Sequence, residues 1–223
     1  MPEPAEVAAV VLAAGAGSRF GGAPGSKLLA RLDGRPVLQH VLERLASAGI
    51  GRQLVVVPAS ASELDETIEW GSARRIPNPA PERGLSSSLQ LGWAAASMLR
   101  PVPAATLILL GDQPVVPPRV IAALLAAPLD PTRPVVAPRY AAGGGPNPVR
   151  LEPEAGPLID EARGDRGLGP ILATRPELVR WIDVEGSNPD LDRPADLEAL
   201  AELLAADDRA VARALAAGPD DRP

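Results

Sequence analysis

VAAVVLAAGAGSRFGGAPGSKLL (residues 7–29) joins a strand to a glycine-rich loop, and the rest of the chain is read outward from it. Val7 to Ala14 is a continuous apolar run, short enough for a strand buried on both faces. It breaks into a loop carrying Gly15, Gly17, Gly21, Gly22 and Gly25. Glycine lacks a Cβ and accepts positive φ, so several N–H groups of such a loop can converge on an anion, with phosphate the natural guest. Arg19 and Lys27 add positive charge on the same loop. Lys27 is the single lysine among 22 basic residues. A compact ammonium suits a place beside phosphate that a planar guanidinium does not fit. The loop is not a P-loop, because Gly25-Ser26-Lys27-Leu28 lacks the hydroxyl that follows the lysine there. It is a poor dinucleotide fingerprint as well: the third glycine falls one place late, and proline and more glycine follow.

Composition narrows the chemistry. A chain of 223 residues is long enough for one large core, and with one Phe and one Tyr that core must be built from alanine, leucine and valine. The net charge is −6 and the arginines are scattered, so neither a basic stripe nor an aromatic platform for nucleic acid exists. The absence of cysteine removes disulfides, thiolate nucleophiles and Cys-based metal sites. The one histidine, His40, falls in an expected helix, Val37 to about Ser47, where it reads as a surface or packing residue. Any metal is then held by oxygen. No apolar stretch reaches membrane length and no secretory signal is visible, which makes no membrane partner and a cytoplasmic location the expectation.

Along the chain, strands are expected at Gln53–Val57 and Arg74–Ile76 and a short helix at about Ser62–Trp70, giving the β-α-β-α-β order of a parallel sheet. Ser86-Ser87-Ser88 head an apolar helix behind a Pro/Gly-rich turn, so hydroxyls and free amides face whatever lies above the sheet; serine N-capping is the simpler reading. Thr106 to Leu110 is a wholly apolar strand ending in Gly111-Asp112-Gln113-Pro114. In open α/β sheets ligands sit outside the carboxyl ends of the strands, which puts Asp112 on the edge that carries the glycine loop, where Mg²⁺ would be needed. A helix at Pro118–Ala127, strands at Pro134–Ala137, Pro148–Leu151 and Leu178–Val184, and helices at Glu154–Ala162 and Leu168–Arg175 follow. All three asparagines, Asn78, Asn147 and Asn188, precede proline, and turn chemistry accounts for them. Asp190 and Asp192 stand before the last helix, whose first turn would hold Pro194; Asp192 suits either capping or metal binding. Residues 1–217 read as one domain, with a frayed tail at 218–223.

These motifs, in this order, resemble the MobA-like NTP-transferase family and, within it, the molybdenum cofactor cytidylyltransferase branch. The resemblance runs from Val10 to about Leu203 through LAAGAGSRFGG with Lys27-Leu28-Leu29, RGLSSSLQLG at 83–92, LLGDQP at 109–114 and Asp190-Leu191-Asp192-x-Pro194. It implies an α/β protein with a three-layer αβα, Rossmann-like nucleotidyltransferase fold and a mostly parallel central sheet. It further implies that Leu12, Ala13, Ala14, Gly15, Gly17, Arg19 and Lys27 wrap a nucleoside triphosphate, with Ser86 and Ser87 near the ligands. Arg19 and Lys27 would grip the triphosphate, while Asp112 and Asp192 would hold Mg²⁺. Leu12-Ala13-Ala14-Gly15 matches relatives that use CTP, those that use GTP tending to carry Leu-Ala-Gly-Gly. The implied reaction moves CMP from CTP to the phosphate of molybdopterin, with a molybdoenzyme as possible client. Other acceptors, such as a sugar phosphate, or a non-catalytic cofactor-delivery role, stay open. Where many relatives carry Gly-His-Pro this chain has Pro146-Asn147-Pro148, and Arg193 replaces a common threonine.

Overall fold

The computed structural model describes residues 1–15, 17, 20 and 25–216. In chain order the main elements are β1 (Val7–Leu12), α1 (Ser26–Leu29), β2 (Arg31–Leu32), β3 (Arg35–Pro36), α2 (Val37–Ser47), β4 (Arg52–Pro58) and α3 (Ser62–Thr67). Then come β5 (Arg74–Asn78), α4 (Leu85–Ser97), β6 (Ala105–Leu110), α5 (Pro118–Ala126), β7 (Val135–Tyr140) and β8 (Val149–Leu151). The chain continues with α6 (Gly156–Glu161), α7 (Gly169–Thr174), β9 (Val179–Val184) and α8 (Asp196–Ala216). Among the described residues, seven strands form one sheet in the order β5-β4-β1-β6-β8-β7-β9, with β2 and β3 pairing separately as a hairpin. All neighbours in the large sheet are parallel except β8, which is antiparallel to both β6 and β7.

Helices on both faces explain why β1 has no polar residue. Val7, Ala9 and Val11 pack into the layer that holds Leu38, Val41, Leu42 and Leu45 of α2 and Val120, Ile121 and Leu124 of α5. Val10 and Leu12 point the other way, into the layer formed by Leu89 of α4, Leu158 and Ile159 of α6 and Leu172 of α7. The expected three-layer αβα architecture is therefore present. A third, smaller cluster of Leu32, Val37, Val115, Leu191, Leu200 and Leu204 fastens α8 and the hairpin to one end of the sheet. His40 is buried there as a packing residue, its Nε2 2.7 Å from the Leu32 carbonyl oxygen.

Gly92 shows how closely α4 approaches the sheet: a Cβ on it would lie 2.3 Å from Val10 Cγ1 and 3.1 Å from Val56 Cγ2. Both contacts are with core β-branched residues that have no room to yield. Gly92→Ala is expected to destabilise the protein by about 1–3 kcal/mol despite alanine's better helix propensity. Chemical denaturation measures this directly, and an unchanged or raised midpoint would contradict the packing.

Several expected boundaries shift for identifiable reasons. The helix from Ser62 stops at Thr67 rather than Trp70, because the Glu69 N–H is taken by Gln39 Oε1 at 3.0 Å. The helices expected at Glu154–Ala162 and Leu168–Arg175 shrink to α6 and α7, each with a proline at its first or second position, where the missing N–H costs nothing. β7 runs on to Tyr140, since its parallel pairing with β9 continues to Val184. Pro194 stands in the turn before α8 rather than in its first turn. The tail expected at 218–223 lies outside the described residues. Among the described residues no helix is long and apolar enough to cross a membrane.

Candidate active site

The chain leaves β1 towards β4 and β5 on one side, then returns to place β6 on the other side of β1. Such a reversal opens a crevice at the carboxyl ends of the strands, and the sequence-predicted residues meet there. Leu12 closes β1 and lines a cavity of about 250 Å³. Ala13 and Ala14 follow it, buried, before Gly15 turns to solvent. Gly17 has φ +59°, and the Lys27 side chain passes 3.5 Å from where a Gly17 Cβ would stand, so these two residues of the motif meet. Arg19 lies outside the described residues.

Lys27 and Asp112, 85 residues apart, form an ion pair between Nζ and Oδ2. Both side chains are largely buried, at 13% and 18% exposure, so solvent screens the pair less than a surface bridge. Sequence reading gave these residues separate partners, a phosphate and a metal. The structure shows that each also satisfies the other. The main chain of Asp112 is held too, its carbonyl accepting the Leu191 N–H at 2.9 Å, which lays the segment carrying Asp190 and Asp192 against the end of β6.

Asp190 keeps solvent-accessible surface, yet its carboxyl pKa is raised, first by partial desolvation, then by the negative charge of Asp112 and to a smaller extent that of Asp192. A hydrogen bond from Gln113 and the charge of Lys27 oppose the shift. Three carboxylates therefore influence one small region, with one ammonium among them. Asp196 Oδ2 accepts the N–H groups of Asp192 at 2.9 Å and Arg193 at 2.7 Å, fixing the backbone at Asp192.

Among the described residues no group of three or more His, Cys, Asp or Glu side chains is arranged to hold a metal ion. The donor set nevertheless suits Mg²⁺, which characteristically takes one or two carboxylates and completes its shell with water and substrate phosphate oxygens. A dication would relieve the repulsion from Asp112 and Asp192 that adds to desolvation at Asp190.

The serines divide. Asn78 at the end of β5 donates from Nδ2 to Ser87 Oγ at 2.9 Å and Ser88 Oγ at 3.0 Å, and Ser87 Oγ in turn faces the carbonyls of Gly84 at 2.9 Å and Ala80 at 3.2 Å. The Ser87 hydroxyl thereby ties the start of α4 to β5. Ser86 and Ser87 both border a polar recess with Arg83, Gln90 and Arg163. Gly84, with φ +89°, permits this junction, since a Cβ there would lie 2.6 Å from the carbonyl carbon of Gly164.

The cavity beside Leu12 is mainly apolar, walled by Leu85, Leu89, Ile108 and Leu110, with Asn147 and Arg166 at its polar edge. Sequence reasoning overlooked Gln113, Asn147 and Asn188 as site residues. Asn188, 2% exposed, donates from Nδ2 to Gln113 Oε1 at 3.0 Å and to the Asn147 carbonyl at 3.1 Å, which also accepts the Tyr140 hydroxyl at 2.9 Å. For the two asparagines the Asn-Pro context was the available signal, and turn chemistry alone does not explain it.

A family model, the MobA-like NTP transferase domain, matches residues 9–180. A Bifunctional protein GlmU from Exiguobacterium sp. is 32% identical over 118 residues, 53% of this chain and 25% of that protein. A 2-C-methyl-D-erythritol 4-phosphate cytidylyltransferase from Rhodopirellula baltica is 43% identical over 63 residues, 28% of this chain and 24% of its own. The chain thus spans about a quarter of the length of the curated relatives it matches. Among solved structures, a nucleotidyl transferase from Methanothermobacter thermautotroptrophicus superposes with a TM-score of 0.70 at 27% identity, covering 90% of this chain and 98% of that one. With the family model spanning most of its length and the same fold in that structure, the chain belongs to the MobA-like NTP transferase domain family.

Proposed function

We propose that residues 1–217 act as one nucleotidyltransferase unit that moves CMP from CTP to the phosphate of a molybdopterin cofactor, releasing pyrophosphate, with Mg²⁺ as the divalent cation. The observation that carries this reading is the Lys27–Asp112 pair, close enough to Asp190 that its charges act on that carboxyl, at the carboxyl ends of the strands. A triphosphate arriving over the glycine loop offers Lys27 a stronger anionic partner than Asp112 and frees that carboxylate for a cation. Asp112 and Asp192 would hold Mg²⁺, and a bound Mg²⁺ supplies neutralisation of the charge on the α-phosphate and the departing pyrophosphate. An acceptor phosphate oxygen attacks the α-phosphorus in line while the bond to pyrophosphate breaks. Lys27, joined by Arg19, stabilises the leaving group. No protein nucleophile is needed, and positioning with electrostatics suffices, in keeping with a chain that lacks cysteine.

Two features support the choice of substrates. Leu12-Ala13-Ala14-Gly15 follows the form of CTP-using relatives, and the curated protein most identical over its matched segment among those described above is a cytidylyltransferase. The apolar walls of the cavity suit the faces of a flat ring better than the hydroxyls of a polyol, while Arg166 and Asn147 offer polar contacts for the ring's edge. The test is pyrophosphate release from CTP with a panel of phosphorylated acceptors. Molybdopterin is expected to support turnover and sugar phosphates are not; the reverse result would contradict the acceptor assignment. CTP binding without turnover on any acceptor would favour a delivery protein.

A further inference from the structure

The side chains of Gln113, Asn188 and Asp190 form a directional chain. It starts at the Asn147 carbonyl, which can only accept, so Asn188 must present its Nδ2 to it. The same Nδ2 donates to Gln113 Oε1, which leaves Gln113 Nε2 to donate at 2.5 Å to Asp190 Oδ1. Every polarity in the chain is therefore set by one backbone carbonyl in the loop that borders the apolar cavity. Gln113 and Asn188 are 3% and 2% exposed, so neither amide can exchange its partner for bulk water without opening the site. The residue after Asp190, Leu191, donates its N–H to the Asp112 carbonyl at 2.9 Å, which brings the Asp190 end to Asp112. Neither amide reaches the cavity's apolar walls or the ion pair directly, so each acts through the residue it orients.

We infer that Gln113 and Asn188 are positioning residues: they fix the orientation of the Asp190 carboxylate beside Asp112 and so set the affinity of the carboxylate cluster for its divalent cation. The same chain couples that cluster to the loop at Asn147. The inference rests on the proposed nucleotidyl transfer only in requiring a cation to bind with the nucleotide.

The experiment measures Mn²⁺ binding, by electron paramagnetic resonance of the free ion, to the whole protein saturated with CTP. Gln113→Met keeps the volume and removes both hydrogen bonds. Asn188→Asp keeps the shape but sets an acceptor against the Asn147 carbonyl and Gln113 Oε1, and so forces Gln113 to reverse. Both variants are expected to weaken Mn²⁺ binding about tenfold, the Asn188 variant providing the answer if the first does not fold. Tyr140→Phe removes the other donor to the Asn147 carbonyl, a comparably buried loss outside the chain, and is expected to leave Mn²⁺ affinity within about threefold of the native value. Native affinity in both relay variants would overturn the inference, and so would equal weakening in Tyr140→Phe, which would mean general loosening. Failure of the native protein to bind Mn²⁺ with CTP would instead contradict the proposed function.

Discussion

Replacing Asp112 with asparagine is expected to slow pyrophosphate release by about a thousandfold, roughly 4 kcal/mol of transition-state stabilisation. The substitution preserves the shape of the side chain and leaves intact the carbonyl that accepts the Leu191 N–H, so the end of β6 stays in place. What disappears is the anionic oxygen. An amide is a poor ligand for a hard dication, and it also leaves Lys27 without its counter-charge in the nucleotide-free protein. Steady-state kinetics with saturating CTP and acceptor would reveal the loss in kcat, with an unfolding midpoint close to that of the native protein. A kcat within a few-fold of native would remove Asp112 from the reaction.

The second large effect is on stability. Arg150 on β8 is completely buried, and its guanidinium donates to the carbonyls of Leu124 at 3.0 Å, Ala127 at 2.6 Å and Pro128 at 3.0 Å as well as to Glu152 Oε1 at 2.9 Å. It thereby satisfies the carboxyl end of α5, where helix carbonyls lack partners in their own helix. Burial pushes the guanidinium pKa down, and the Glu152 carboxylate opposes the shift. Arg150→Met leaves those carbonyls unpaired in the interior and removes half the positive charge from around Glu152, which retains Arg180 Nη2 at 2.7 Å. The expected cost is about 3–5 kcal/mol, seen as a fall of roughly 10 °C in Tm. By contrast, Arg35→Ala, which breaks an exposed bridge to Glu43, is expected to cost at most about 1 kcal/mol. Equal effects from the two substitutions would contradict the role given to Arg150.

These two residues also mark what sequence could and could not disclose. The apolar runs of β1 and β6 were legible because a strand covered on both faces has no polar position to obscure its length. Asp112 stood out at the end of such a run. Lys27 stood out as the chain's sole lysine. Arg150 looked like any other of the arginines, because nothing local shows that its neighbours in space are the carbonyls of a helix more than twenty residues away. The Lys27–Asp112 pair was hidden for the same reason, its partners lying 85 positions apart. The three asparagines were read through their following prolines, whereas the side chains of two of them make contacts that Asn-Pro turn chemistry does not encode: Asn78 holds Ser87 and Ser88, and Asn188 joins Gln113 to the Asn147 loop.

The central claim, that Lys27, Asp112 and the glycine loop bind a nucleoside triphosphate together with a divalent cation, is tested most directly by calorimetry. CTP, GTP, ATP and UTP would be titrated into the native protein and into Asp112→Asn, each with Mg²⁺ and with the metal chelated. Preferential binding of CTP is expected, largely lost on chelation or in the Asp112 variant. Equal binding of all four nucleotides, unaffected by chelation or by the substitution, would contradict it: the loop would then hold phosphate alone, with no contribution from the carboxylates at the end of β6.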